Sequence, residues 1–125
     1  MNQPADGVYR APWWLPGGHA QTIWPALRAR WQAHDPPPFD QRERWTTPDG
    51  DFIDLDWQRQ AQATTLLVLF HGLEGSSNSH YARAFAAWAA RHGMDFVVPH
   101  FRGCSGTPNL APRAYHSGDH AEVDW

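Results

Sequence analysis

Two glycine-rich stretches of this sequence carry residues suited to acyl-transfer chemistry, His71-Gly72-Leu73-Glu74-Gly75-Ser76-Ser77 and Arg102-Gly103-Cys104-Ser105-Gly106-Thr107. A glycine just after a strand lets the backbone turn with little bulk and leaves N–H groups facing a bound oxygen. Donors of that kind stabilise the oxyanion of acyl transfer, and one such donor is worth about 3 kcal/mol of barrier. A His-Gly pair also serves as a plain tight exit from a strand, and spacing alone leaves both readings open.

Other reactive residue types have plainer explanations. Cys104 beside Arg102 has the surroundings of a lowered thiol pKa, but no base is paired with it, so a small buried or turn cysteine is the preferred reading. His116 and His120 stand at the i, i+4 spacing of a metal pair, with Gly118 between them and no third ligand in view. No metal site is expected there. Ser76, Ser77 and Ser79 are explained by capping the helix that follows, and His19 bonds either a loop near the site or a backbone carbonyl.

The elements that position the two stretches follow from periodicity. Leu66 to Phe70 is apolar without alternation, which predicts a central strand covered on both faces. Tyr81, Phe85, Trp88 and Ala89 recur at helical spacing, and Gly93 after Arg91-His92 is a helix stop. Phe96 to His100 is a second short strand. Strand, helix and strand form a βαβ unit whose parallel strands end on one sheet edge, where open α/β sheets bind ligands. Upstream, Pro48-Asp49-Gly50 separates two strand-like runs into an antiparallel hairpin, with Asp54 and Asp56 on a wet face and Ile53, Leu55 and Trp57 on a dry one. Residues 1–40, rich in Pro and Trp, are expected to form an extended arm with one short helix over 21–31; residues 41–125 form the α/β part.

Composition narrows the function classes. The chain has 125 residues, 42% hydrophobic and 18% charged, with a net charge of -3. Its ten Lys and Arg are scattered, which argues against nucleic acid as a partner. No apolar run reaches the ~20 residues of a membrane span, and the lone Cys104 forms no internal disulfide, which together favour the cytoplasm. Eight Trp, five of them before Asp49, ask for a larger body to pack against.

Four strings carry a family resemblance: "PWWLPGGHAQTIWPAL", "HGLEGSSNSHYAR", "PHFRGCSGTPN" and "YHSGDHAEVDW". Together they resemble the α/β-hydrolase superfamily, in the branch of YheT-type bacterial hydrolases and their eukaryotic medium-chain ester hydrolase relatives. The resemblance implies the amino-terminal part of an α/β-hydrolase fold, with the hairpin as the first two strands of an incomplete sheet. It implies a serine carboxylesterase acting on short- or medium-chain acyl esters without a cofactor. His71, Gly72 and Leu73 would form the oxyanion loop with the Leu73 N–H as donor, and Arg102, Gly103, Cys104 and Ser105 part of the pocket wall. The family's Gly-x-Ser-x-Gly elbow is absent, since Gly103-Cys104-Ser105-Gly106 lacks a residue between Ser and Gly. The nucleophile, acid and base are therefore expected beyond Trp125. A non-catalytic small-ligand binding module on the same fold is the alternative. Without the elbow the chain alone is expected to be inactive, and with a sheet edge and an apolar face uncovered it is expected to self-associate.

Overall fold

The computed structural model describes residues 10–32, 37–73, 75–116 and 118–125. The chain divides into two compact units, Met1–Asp35 and Pro36–Trp125. In the first, helix α1 spans Gly17–Gln32, longer than the expected piece over 21–31, and it carries Pro25 within its length. Trp14 meets Trp24 edge-on, with ring centroids 5.7 Å apart, and so ties the entry turn to the helix. Phe39 and Asp40, expected in the arm, belong to the second unit, where Phe39 stacks on Phe96 and the Asp40 N–H donates to the Trp57 carbonyl at 2.8 Å.

The second unit is built on strands β1 (Gln41–Thr46), β2 (Phe52–Gln58), β3 (Leu66–Val68) and β4 (Asp95–Pro99), with helix α2 (His80–Arg91) between β3 and β4 and a short α3 (His120–Asp124). The sheet order is β1-β2-β4-β3. β1 and β2 form the expected antiparallel hairpin, closed by Gly50 at φ +80° and by the Gly50 N–H to Thr47 carbonyl bond of 2.9 Å. β3 and β4 are parallel, as the βαβ reading requires, and β2 pairs β4 antiparallel. Among the described residues no helix is long and apolar enough to cross a membrane.

α2 lies close to the sheet because its inward residues are small. Ala82, Ala86 and Ala89 are fully buried against Phe96 and Val98, with Leu67, Leu69, Tyr81 and Met94 around them. The other sheet face buries Ile53, Leu55, Trp57 and Val97. α2 stops in a Schellman arrangement, in which the Met94 N–H reaches the Ala89 carbonyl and the Gly93 N–H the Ala90 carbonyl, with Gly93 at φ +64°.

Several expectations are corrected by this packing. β3 is an edge strand rather than a central one, and Leu66, Val68 and Phe70 are exposed on one face while Leu67 and Leu69 pack inward. Phe85 and Trp88 also lie off the core face of α2, since the alanines beside them make the contact. Ser79 occupies the N-cap position but makes no side-chain cap bond; its hydroxyl donates instead to the Ser76 carbonyl at 2.7 Å. Asp54 and Asp56, read as a wet face, are buried. The antiparallel register sets Arg44 opposite Asp54 and Arg42 opposite Asp56, and each guanidinium forks its carboxylate at 2.6 to 2.9 Å. Ser105 and Ser77 complete these sites, donating to Asp54 and Asp56 at 2.7 and 2.5 Å. The Arg44 hydrogen bond holds the Asp54 carboxyl below its usual range. Burial opposes the same shift at Asp56, but its bonds from Arg42 and Ser77 outweigh that cost.

Candidate functional site

Because β3 and β4 run parallel, the loops that leave them meet at one sheet edge, and two buried histidines fasten them together. His71, after β3, accepts the Phe101 N–H at Nε2 (3.0 Å), while its Nδ1–H donates to the Gly72 carbonyl (2.8 Å). His100, after β4, accepts the Ser77 N–H at Nε2 (3.1 Å), while its Nδ1–H donates to the Asp54 carbonyl (3.0 Å). Each ring thus holds an N–H from the loop of the other strand. An acceptor Nε2 carries no proton, so both rings are neutral Nδ1–H tautomers.

Burial pushes both histidine pKa values down. At His71 the Gly72 carbonyl opposes this, and at His100 the Asp54 carbonyl and the Asp56 carboxylate do, with Arg42 acting in the same sense as burial. A histidine whose folded pKa is depressed binds its proton more readily in the unfolded chain. Its contribution to stability is therefore complete above the unfolded pKa of about 6.5 and is lost as pH falls from there toward the folded value. The urea midpoint is expected to fall between pH 7 and pH 5, before carboxylate titration begins. A midpoint unchanged over that interval would mean that neither ring is held neutral by the fold.

The Gly72–Leu73 peptide is fixed at its carbonyl, and the peptide before it at its N–H. The Gly72 carbonyl accepts from His71 Nδ1–H and from the Gly75 N–H (2.9 Å), and the Gly72 N–H donates to the Tyr81 hydroxyl (3.1 Å). In a planar trans peptide the N–H points opposite to the carbonyl, so the Leu73 N–H is turned away from this cluster. It has no acceptor among the described residues. Leu73 lines a cleft of about 290 Å³ together with Phe70, His71 and Gly72 on one side and Phe101, Tyr115, His116 and Val123 on the other.

The glycine that the turn requires is Gly75 rather than Gly72. A Cβ on Gly75 would lie 2.9 Å from both the Gly72 carbonyl oxygen and His71 Cβ and would run into the Tyr81 hydroxyl. A Cβ on Gly72 would meet nothing within 4 Å, and its φ lies outside the left-handed region.

The second glycine-rich stretch is placed elsewhere. Arg102, Gly103, Cys104 and Ser105 are absent from the lining of the His71–Leu73 cleft. Arg102 is buried under the hairpin turn, its Nε on Glu122 (2.9 and 3.1 Å) and its Nη1 on Asp49 (2.7 Å) and Asp51 (3.2 Å). The Asp49 bond, with Glu122 beside it, raises the Arg102 pKa against the cost of burial, and in return Arg102 holds Asp49 down to about 2. Gly103 takes φ +76°, the Cys104 N–H bonds the Phe101 carbonyl at 2.9 Å, and the Ser105 carbonyl accepts from Arg42. His116 Nδ1 accepts the Gly118 N–H (3.2 Å), and His120 Nδ1–H donates to the Gly118 carbonyl (3.1 Å).

Sequence reasoning missed His100 and Asp51. The carboxylate of Asp51 gathers the N–H groups of Phe52, Leu110 and Ala111 and the Asn109 amide, and these outweigh burial to hold it ionised far below the usual range. It thereby anchors residues 109–111, which lead to Tyr115 on the cleft. The available signal was Asp51 itself, an acid placed just after the turn glycine.

No family model matches the chain. It is 46% identical over 110 residues to a protein of Escherichia coli K12 named "Putative esterase YheT", covering 86% of this chain and 31% of that one. An abhydrolase domain-containing protein of Dictyostelium discoideum is 39% identical over 80 residues, covering 60% and 20%. An embryogenesis-associated protein of Picea glauca is 29% identical over 108 residues, covering 78% and 23%. With its mixed sheet and these matches, the chain belongs to the α/β-hydrolase superfamily. Within it the likeness is to YheT-type proteins, and the chain spans about a third or less of the length of the curated relatives it matches.

Proposed function

We propose that this chain is the oxyanion-loop part of a cytoplasmic serine hydrolase acting on short- or medium-chain carboxylic esters. The observation that carries the reading is the Gly72–Leu73 peptide, held at its carbonyl by two donors and turned so that the Leu73 N–H faces away from them beside a largely apolar cleft. A serine attacks the acyl carbon, and the carbonyl oxygen takes up the electron pair as an oxyanion that accepts from the Leu73 N–H. The alcohol then leaves, and water releases the acid from the acyl-enzyme. Preorganisation matters because a donor already in place needs no reorientation as charge develops.

The 125 residues contain no Gly-x-Ser-x-Gly elbow, so the nucleophile of this scheme is not among them. The chain by itself is expected to leave p-nitrophenyl butyrate intact. A hybrid in which it replaces the matched segment of the E. coli relative is expected to hydrolyse that ester and to lose activity to a serine-directed fluorophosphonate. Turnover by the chain alone, surviving repurification, would contradict the scheme, as would a folded hybrid inert toward esters when the parent relative is active.

We also propose that the isolated chain self-associates through β3. That strand ends the sheet, with Leu66 and Val68 along it and Phe70 just past its end presenting exposed apolar side chains. Light scattering is expected to report a species larger than the monomer, with binding of a hydrophobic dye. Monomer without dye binding would count against it.

A further inference from the structure

The cleft beside Leu73 is walled mainly by carbon, and three of the four ring nitrogens of its two histidines are already engaged. The rings of Phe101 and Tyr115 stack with centroids 5.2 Å apart and planes 7° from parallel, and Phe70 tilts against Phe101 at 6.2 Å. His71 sets its edge against both rings, at 5.1 and 6.1 Å. Leu73 forms an exposed lip, and Val123 of α3 is part of the lining. Both nitrogens of His71 are occupied by the Phe101 N–H and the Gly72 carbonyl, and Nδ1 of His116 by the Gly118 N–H. The aromatic wall is held in place, since residues 109–111 are bonded to Asp51 and the Asn109 amide also donates to the Arg113 carbonyl.

We propose that this cleft receives the acyl chain, and that the Phe101–Tyr115 stack sets the chain's length and thickness, selecting an unbranched apolar acyl group. The proposal rests on reading the Leu73 N–H as the oxyanion donor. The acyl carbon bears both the oxygen that would bond Leu73 and the first methylene, so the chain begins at Leu73, where the aromatic wall is adjacent. At about 290 Å³ the space sits at the small end of the ~300–1,000 Å³ typical of ligand pockets, which suits one slim chain. A charged or hydroxylated acyl group would give up its water there with few polar partners to replace it.

Carboxylates that mimic the acid product test this on the 125-residue chain, kept dilute to limit association. Acetate, butanoate, hexanoate and octanoate are titrated while the Leu73 amide and the Leu73 and Val123 methyls are followed by NMR. Affinity is expected to rise about two- to fourfold per methylene. Shifts should appear at both the amide and the methyls, and Tyr115→Ala should weaken octanoate at least tenfold. Val123→Trp, at an exposed position, should fill the cleft and do the same if Tyr115→Ala impairs folding. Equal affinity for acetate and octanoate would overturn the proposal, as would octanoate shifts confined to the groove lined by Leu67, Phe85 and Trp88. Methyl shifts without an amide shift would uphold the acyl pocket and overturn the donor assignment. An amide shift without methyl shifts would do the reverse.

Discussion

Arg102→Met is expected to leave the chain barely folded. Methionine keeps much of the side-chain volume, so the effect comes from charge. Arg102 is only 4% exposed, and without it Asp49, Asp51 and Glu122 lose their shared cation; Glu122, also 4% exposed at its side chain, is left buried beside Arg113 at 3.7 Å. Removing one partner of a buried ion pair costs about 3–5 kcal/mol, which is a large share of the ~5–15 kcal/mol that holds a whole domain together. The same guanidinium joins α3 to the hairpin turn, so the loss should also free residues 118–125 from the sheet. Urea unfolding followed by circular dichroism measures it. A midpoint within experimental error of the unsubstituted chain would show that the network is replaceable by water.

Gly72→Val is expected to act in the opposite way, sparing the fold and removing function. Gly72 has no atom within 4 Å of an added Cβ and does not sit in the left-handed region, so valine imposes no backbone strain. It does line the cleft, where a branched side chain takes space beside the Leu73 N–H. In the hybrid enzyme turnover should fall by on the order of a hundredfold with the melting temperature unchanged, a loss of the size seen when an oxyanion donor is displaced. A folded Gly72→Val hybrid with full activity would leave His71-Gly72 as no more than a tight strand exit.

Those two residues also mark how far the sequence could be read. The abrupt change from Leu66–Phe70 to His71-Gly72 was legible because an apolar run that ends in glycine has few structural uses, and the βαβ spacing brought both loops to one edge. The glycine demanded by contact is Gly75, however, and only its packing against His71 and Tyr81 reveals that. Absence of alternation in 66–70 predicted cover on both faces, yet a pattern records what a residue tolerates, not what covers it, and β3 lies at the edge. Alternation in β2 suggested a wet face for Asp54 and Asp56. The matching spacing of Arg42 and Arg44 was a signal of burial as ion pairs, but it becomes readable only once the hairpin register is known. The family resemblance implies a pocket-wall role for Arg102, whereas its guanidinium is engaged by the carboxylates of the hairpin turn and by Glu122, and it does not line the His71–Leu73 cleft.

The most direct test replaces one atom group. Substituting Leu73 by the corresponding α-hydroxy acid in the hybrid turns the Gly72–Leu73 amide into an ester, deleting the N–H while keeping the leucine side chain and the Gly72 carbonyl. The oxyanion-donor account predicts that kcat for p-nitrophenyl butyrate falls about 100- to 1,000-fold with KM little changed. A kcat within about twofold of the amide-containing enzyme would contradict it.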